Sequence, residues 1–305
     1  MADIFQCVLC GSNSNIIEKI SSDAISKAYH KNLGVEVNFN SQNLLFLQCP
    51  TCSLKFFKPM ELGDEEFYDQ LQKKEWYYLD EKWEYHRAAK HISRANKILE
   101  VGCGFGAFSS YVGRERYRGL ELSGSAVENA RHQGISVEKT FVEDYAMHGQ
   151  CADAVVNFQV LEHIPNPRSF LQGCIDCLEP GGKFLFAVPS DDSFVGDAVN
   201  NWLNMPPHHG TRWPDATLRK IAEQFSLELV ALEHEPVASI HREWATKVIW
   251  QRRIREILQQ PYRVVDNSMT QKMFGKGGAI LKRLLPPNIN EWSGHSVLAV
   301  YRKIG

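Results

Sequence analysis

The chain has 305 residues, a length that points to about two domains. With 34 Lys and Arg against 36 Asp and Glu the formal charge is −2, which excludes a bulk polycation built for nucleic acid but not a local basic patch. Apolar residues make up 44% and charged residues 23%, the balance of a soluble globular protein and not of a disordered chain.

The start, MADIFQCVLCG, carries an acid at position 3 and no apolar h-region, and no apolar run approaches the roughly 18 residues of a membrane span. The expected compartment is the cytoplasm, where disulfides are disfavoured. Eight cysteines then need another reading. Cys7 and Cys10 are two residues apart in Cys7-Val-Leu-Cys10-Gly11-Ser12, and Cys49 and Cys52 repeat the spacing in Cys49-Pro50-Thr51-Cys52-Ser53. Such a spacing lets one tight turn aim two thiolates at one metal, and Gly11 allows the positive φ that the turn often needs. Two turns give four thiolates and a closed, structural Zn2+ site. The 38 residues between the pairs exceed a compact zinc ribbon, so a hairpin or small insertion fills the gap, with a strand over 43–48 delivering the second pair. Residues 1–60 are thus expected to form a zinc-ribbon-like module.

Residues 61–96 read as a helical connector rich in aromatic side chains, of which Trp76, Tyr77 and Tyr78 are expected either to lid a site or to pack a helix on the next domain. From 97 to 235 short apolar runs alternate with helical segments, the pattern of βαβ units on a parallel sheet. Strands are expected at 97–101, 117–121, 135–139, 153–158, 182–188, 227–233 and 295–302, the last two forming an antiparallel pair. Cys174 and Cys177 lie in a stretch of helical apolar spacing and read as core, not as ligands. Residues 236–290 carry 10 Lys and Arg against 3 Asp and Glu, a local balance of +7. They read as helices, with Trp244, Val248, Ile249, Ile254, Ile257 and Leu258 as an apolar face and Arg252, Arg253 and Arg255 opposite or beside it.

The most informative motif is Ile98-Leu99-Glu100-Val101-Gly102-Cys103-Gly104-Phe105-Gly106, an apolar strand running into a glycine turn before a helix. Glycines let backbone approach a ligand, and the helix start offers free N–H groups. Here they alternate as Gly-x-Gly-x-Gly, and Glu100 precedes them by two residues. A carboxylate there repels a pyrophosphate and attracts a ligand ammonium, which argues against a nicotinamide site. Glu121, at the end of the next strand and followed by Leu122, can accept both hydroxyls of a ribose. Asp144, after the third strand, can accept from an adenine amino group.

These motifs resemble the class I S-adenosylmethionine (SAM) methyltransferases over 97–235 plus the end strand. Asp153–Ile164 and Leu178-Glu179-Pro180-Gly181-Gly182-Lys183 are similar to that family's fourth-strand and pre-fifth-strand motifs. The resemblance implies an α/β, Rossmann-like seven-stranded mixed sheet built from 97–235 and 291–305, with 236–290 as a helical insertion before the last strand. It implies that Glu100, Gly102, Gly104 and Gly106 hold the methionine end of SAM, Glu121 and Leu122 the ribose, Asp144 the adenine, and that Gln159 sits near the sulfonium.

Methyl transfer to an alcohol needs acceptor, methyl and sulfur in line and a general base for the hydroxyl proton. The segment Asn204–Trp213 holds His208 and His209 behind two prolines, and it resembles the Pro-Pro-His-His stretch of bacterial small-molecule and sugar methyltransferases. Spacing does not choose between the two histidines, and His163 is a second candidate. A four-cysteine module ahead of a SAM core is similar to sugar methyltransferases acting on nucleotide-linked deoxysugars. The C-methylating members carry a further domain for which this chain is too short, so O-methylation of a sugar or related metabolite is expected, with the basic insertion suiting a phosphorylated or nucleotide-linked acceptor. The competing reading is an RNA or protein methyltransferase docked by its zinc module. Residues 1–60 speak against it, since five lysines and no arginine stand against four acids and no nucleic-acid footprint results. The oligomeric state is not legible.

Overall fold

The structure, a computed structural model, describes residues 4–74, 81–149, 151–284 and 288–304. The aromatic trio Trp76, Tyr77 and Tyr78 lies outside them.

The N-terminal part runs β1 (Phe5–Gln6), β2 (Asn13–Ser21), α1 (Ser22–Leu33), β3 (Asn43–Gln48) and β4 (Lys55–Lys58). Two helices follow, α2 (Glu65–Gln72) and α3 (Trp83–His91). The larger part runs β5 (Ile98–Val101), α4 (Ser109–Val112), β6 (Tyr117–Leu120), α5 (Gly124–His132), β7 (Val137–Glu138), α6 (Val142–Met147), β8 (Ala152–Phe158), α7 (Pro167–Asp176) and β9 (Leu178–Pro189). It continues through α8 (Phe194–Asp197), β10 (Thr211–Arg212), α9 (Asp215–Gln224), β11 (Leu227–Pro236), α10 (Arg242–Ile257), α11 (Met269–Leu284) and β12 (Ser293–Lys303).

Seven strands form one mixed sheet in the order β11-β12-β9-β8-β5-β6-β7. The five strands β9 to β7 are mutually parallel, and β12 enters antiparallel between β9 and β11. Each expected strand position in 97–302 carries one of these strands. The pattern was readable because the central strands are covered on both faces: all four residues of β5 are buried, and β8 exposes none beyond its second position. Ile98, Ala154 and Val156 pack with α3, α4 and α5 on one face, while Leu99, Val101 and Val155 pack with α6, α7 and α9 on the other. Cys174 and Cys177 lie fully buried in this second core, as their spacing implied.

The second sheet has the order β1-β2-β3-β4-β10. Its last strand comes from the chain beyond β9: Thr211 pairs with Phe56 and Arg212 with Lys55. The cysteine-bearing segment is therefore joined to the larger part by backbone pairing. A shared core reinforces the join, because Leu9, Leu47, Leu54 and Phe56 pack in one cluster with Trp213, Phe184 and Leu218. Lys55 reaches the buried carboxylate of Asp191 at 2.6 Å, and Arg168 donates to the Leu9 carbonyl at 3.1 Å.

The segment 236–290 is helical, but its buried face differs from the expected one. Ala245, Val248, Ile249, Gln251 and Arg255 are buried, while Ile257 and Leu258 are exposed. Position 257 is nine residues past 248, half a turn away on a 3.6-residue helix, so it cannot share that stripe. Positions 251 and 255 do share it, and there α11 covers polar side chains: Arg255 donates to Gln271 at 3.2 Å and lies over the Tyr262 ring. Arg252 is held between Asp197 and Glu256, both at 2.8 Å. Two of the three arginines expected beside the apolar face, Arg252 and Arg255, thus serve the protein's own packing.

Candidate active site

Strands β8, β5, β6 and β7 lie side by side, so their C-terminal ends bring Gln159, Gly102–Gly106, Glu121–Leu122 and Asp144 to one edge of the sheet. Such an edge is where open α/β sheets bind ligands. The glycines are required by the backbone. Gly102, Gly104 and Gly106 have φ of 73°, 54° and 76°. A side chain at Gly102 would place its Cβ 2.5 Å from the Val160 Cγ2, and one at Gly106 would sit 3.0 Å from Ile135. Glu121 ties the turn to β6: its carboxylate accepts from the amides of Gly104 at 2.8 Å, Leu122 at 2.7 Å and Ser123 at 2.9 Å. Leu122 is exposed at this edge, and Asp144 is exposed in the first turn of α6.

Glu100 lies beneath the turn, 2% exposed, and accepts from the Tyr117 hydroxyl. Burial pushes its carboxyl up to about 8, against the pull of Tyr117 and of the Lys82 ammonium. Gln159 sits at φ 57° at the end of β8. Its side-chain amide donates to Glu84 at 3.2 Å and to Ser296 at 3.1 Å, which links α3, β8 and β12 across the mouth of the sheet. Glu84 and Ser296 are themselves buried, and neither was singled out in the sequence.

The three histidine candidates meet. The turn after β8 carries Glu162 and His163, and the loop before β10 is tied to it where Gly210 donates to the Glu162 carbonyl at 2.9 Å. Ring centroids are 4.7 Å apart for His163 and His208, 4.9 Å for His163 and His209, and 4.4 Å for the stacked His208 and His209. Nδ1 of His208 donates to the Leu203 carbonyl at 2.9 Å, Nδ1 of His209 to Asn204 Oδ1 at 3.2 Å, and Nδ1 of His163 to the His208 carbonyl at 2.6 Å. The Tyr68 hydroxyl lies 3.1 Å from the same His163 nitrogen. Burial lowers all three imidazoles, His163 to about 3, His208 to about 4 and His209 well below the usual range, so they are neutral at physiological pH.

Glu162 is the member of this cluster that the sequence analysis did not name. It is 1% exposed, and one oxygen lies 3.8 Å from His163 Nε2 and 3.9 Å from His209 Nε2. Among the described residues no other residue donates to either oxygen. Burial raises its carboxyl to about 8, partly opposed by its own backbone amide and then by Lys82. The signal in the sequence was its place beside His163 at a strand end, which alone does not distinguish a buried acid from a solvated one.

The four cysteines also meet. Sγ of Cys7 is 3.6 Å from that of Cys52, and Sγ of Cys10 is 3.4 Å from that of Cys49. All four sulfurs lie within 4.8 Å of one another. Sulfurs on a tetrahedron of 2.3 Å bonds stand about 3.8 Å apart, so the cluster fits one Zn2+ without a disulfide. The two turns match. The residue after the second cysteine is left-handed in each, Gly11 at φ 76° and Ser53 at φ 66°, and the amides of Leu9 and Cys52 point at Cys7 Sγ and Cys49 Sγ at 3.4 and 3.5 Å.

A seven-stranded mixed sheet with a glycine turn after its central strand β5 is the architecture of the class I methyltransferase type of domain. Residues 72–232, more than half of the chain, match the methyltransferase-domain family model. The chain belongs to that family. Among curated proteins it is 34% identical over 101 residues to a ubiquinone biosynthesis O-methyltransferase from Cronobacter sakazakii and 35% identical over 101 residues to one from Salmonella arizonae. Each match takes in 30% of this chain and 42% of the relative, so the chain spans less than half the length of these relatives. Among solved structures, a SAM-dependent methyltransferase from Archaeoglobus fulgidus aligns at a TM-score of 0.49 and 16% identity, over 72% of this chain and 91% of that one. No described helix is long and apolar enough to cross a membrane.

Proposed function

We propose that the chain transfers a methyl group from SAM to a hydroxyl of a small-molecule acceptor, a sugar, nucleotide-linked sugar or related metabolite. The observation that carries this reading is the character of the acceptor side. Beyond Gln159 the edge is lined by buried polar groups, Glu84, Ser296, Glu162, His208 and His209, each under a tenth exposed. Such a lining can bind and orient a small polyhydroxylated ligand, whereas a polymer needs an open groove.

SAM, when bound, supplies an electrophilic methyl on a sulfonium. Gly102, Gly104 and Gly106 give it close backbone approach, Glu121 and Leu122 face its ribose, Asp144 its adenine, and Glu100 lies beneath its methionine end. The acceptor's proton passes to the cluster of His163, His208, His209 and Glu162, whose imidazoles are neutral and keep a ring-nitrogen lone pair. Cys7, Cys10, Cys49 and Cys52 hold a structural Zn2+ that fixes the two turns against the second sheet.

Methyl labelling tests the acceptor class. Protein and radiolabelled SAM are added to a desalted bacterial extract supplemented with nucleotide sugars, and products are split into small molecules, glycan or lipid, nucleic acid and protein. Label in the small-molecule or glycan fraction is expected. Label in RNA or protein overturns the reading and recasts the cysteine segment and the basic helices as docking surfaces.

A further inference from the structure

We infer that His163, His208 and His209, with Glu162 beside them, form a second divalent transition-metal site, distinct from the four cysteines. The inference rests on reading this cluster as the acceptor side of the methyltransferase.

Two features point to it. First, the donors converge. One ring nitrogen from each histidine lies within 4.8 Å of the others. Ligand atoms at 2.0–2.1 Å on a tetrahedron stand about 3.3 Å apart, so side-chain shifts of roughly an ångström close the site.

Second, the tautomers are set. Each Nδ1 faces an oxygen that can only accept: the Leu203 carbonyl, Asn204 Oδ1 and the His208 carbonyl. A proton fixed on Nδ1 leaves the lone pair on Nε2. Metal-binding histidines are held in this way, with the far ring nitrogen anchored by a carbonyl or carboxylate.

Beside them, one Glu162 oxygen lies 3.8 Å from His163 Nε2 and 3.9 Å from His209 Nε2, so an incoming cation finds a countercharge group at hand. Three imidazoles form a donor set suited to Zn2+, Fe2+ or Co2+ and not to Mg2+ or Ca2+.

The scaffold is prebuilt. Glu162 and His163 follow β8, while His208 and His209 precede β10, whose pairing with β4 and whose Gly210 contact fix the loop. A metal here would leave a position for an oxygen ligand, where an acceptor hydroxyl becomes more acidic.

Cobalt binding by the untagged full chain tests the site, with the cysteine site already filled as purified. We expect about one further equivalent of Co2+, giving ligand-field bands without the thiolate-to-cobalt charge transfer that four cysteines produce. His209→Ala is expected to weaken this binding at least about tenfold. Asn204→Ala removes no ligand but frees the His209 ring, and is expected to weaken it roughly 10- to 100-fold. The inference is overturned if the wild-type chain binds no cobalt or zinc beyond the cysteine equivalent, or if the added cobalt survives both substitutions unchanged. The readout is spectral, so failure to find a methyl acceptor leaves it standing, and a silent spectrum leaves the methyl-transfer reading untouched.

Discussion

Gly102→Ala probes the glycine turn most directly. The new methyl would stand 2.5 Å from Val160 Cγ2 and 3.2 Å from Cγ1, where carbon contacts rest at about 3.5–4.0 Å. Clearing it demands a shift of about an ångström in the turn or in Val160. Overpacking of this kind costs about 1–3 kcal/mol. The left-handed backbone, φ 73°, adds about 1–2 kcal/mol for any residue with a Cβ. The expected loss is thus about 2–5 kcal/mol of stability, with SAM affinity falling by roughly an order of magnitude or more if the turn moves instead. Val160→Ala separates the two terms, because it removes both clashing methyls and leaves the φ penalty. Urea unfolding of wild type, both single variants and the double variant, with SAM binding followed by calorimetry, gives a thermodynamic cycle. A coupling of about 1–3 kcal/mol between 102 and 160 is expected. Costs that simply add, within about 0.5 kcal/mol, would refute the steric argument and leave the backbone as the whole reason for glycine.

Glu121→Ala removes the acceptor for three backbone amides, so the KM for SAM should rise at least tenfold, while Glu121→Gln should recover part of the loss. Cys10→Ser leaves three thiolates, and we expect loss of the cysteine-site zinc together with faster amide exchange across β1–β4; retained zinc and unchanged exchange would exclude the four-thiolate site. Glu100 makes stability pH-dependent. Its folded pKa is raised by burial from 4.5 to about 8, so the folded chain holds the extra proton in that window and stability falls as pH rises through it, by up to about 5 kcal/mol at 1.36 kcal/mol per unit. Glu100→Gln should flatten the difference in urea midpoints between pH 5 and 8; parallel profiles for the two proteins would show that the carboxyl is not held protonated.

The sequence was most legible where one strand or turn made its own case. Buried parallel strands read as continuous apolar runs, and the alternating glycines and Glu121, each expected at the end of a strand, do meet at one edge of the sheet. The paired cysteine spacing predicted a meeting of four sulfurs, yet Ser53 gave no hint that it adopts the same left-handed turn as Gly11. The helical insertion was legible as helix but not as a face, because what decides burial there is α11. A Cβ at Gly278 would stand 3.0 Å from the Lys247 carbonyl, so the glycines of α11 bring it close enough to α10 to cover Gln251 and Arg255.

The acceptor side was least legible, and for a reason that bears on its chemistry. Its histidines were found as candidates, each with an ordinary structural role available to it: an orienting turn for His163, a capped loop for His208 and His209. What makes the cluster more than those roles is a two-residue strand, β10, too short to carry any periodicity, which pins one loop against the turn of another. Once Thr211 and Arg212 pair with β4, the imidazoles have no freedom to turn toward solvent, and Glu162 is sealed beside them. A carboxyl raised to about 8 next to imidazoles lowered to about 4 and below means that the site resists carrying charge of either sign unless the opposite charge enters with it. The incoming partner is then a cation held between nitrogen and oxygen, or an acceptor hydroxyl whose proton stays within the cluster. Both require the pinned loop. Loosening it, by Gly210→Pro to remove the amide that donates to the Glu162 carbonyl, should therefore cost methyl transfer without touching a single residue assigned to SAM, and an unchanged KM for SAM beside a fallen kcat is the pattern that would separate the two halves of the site.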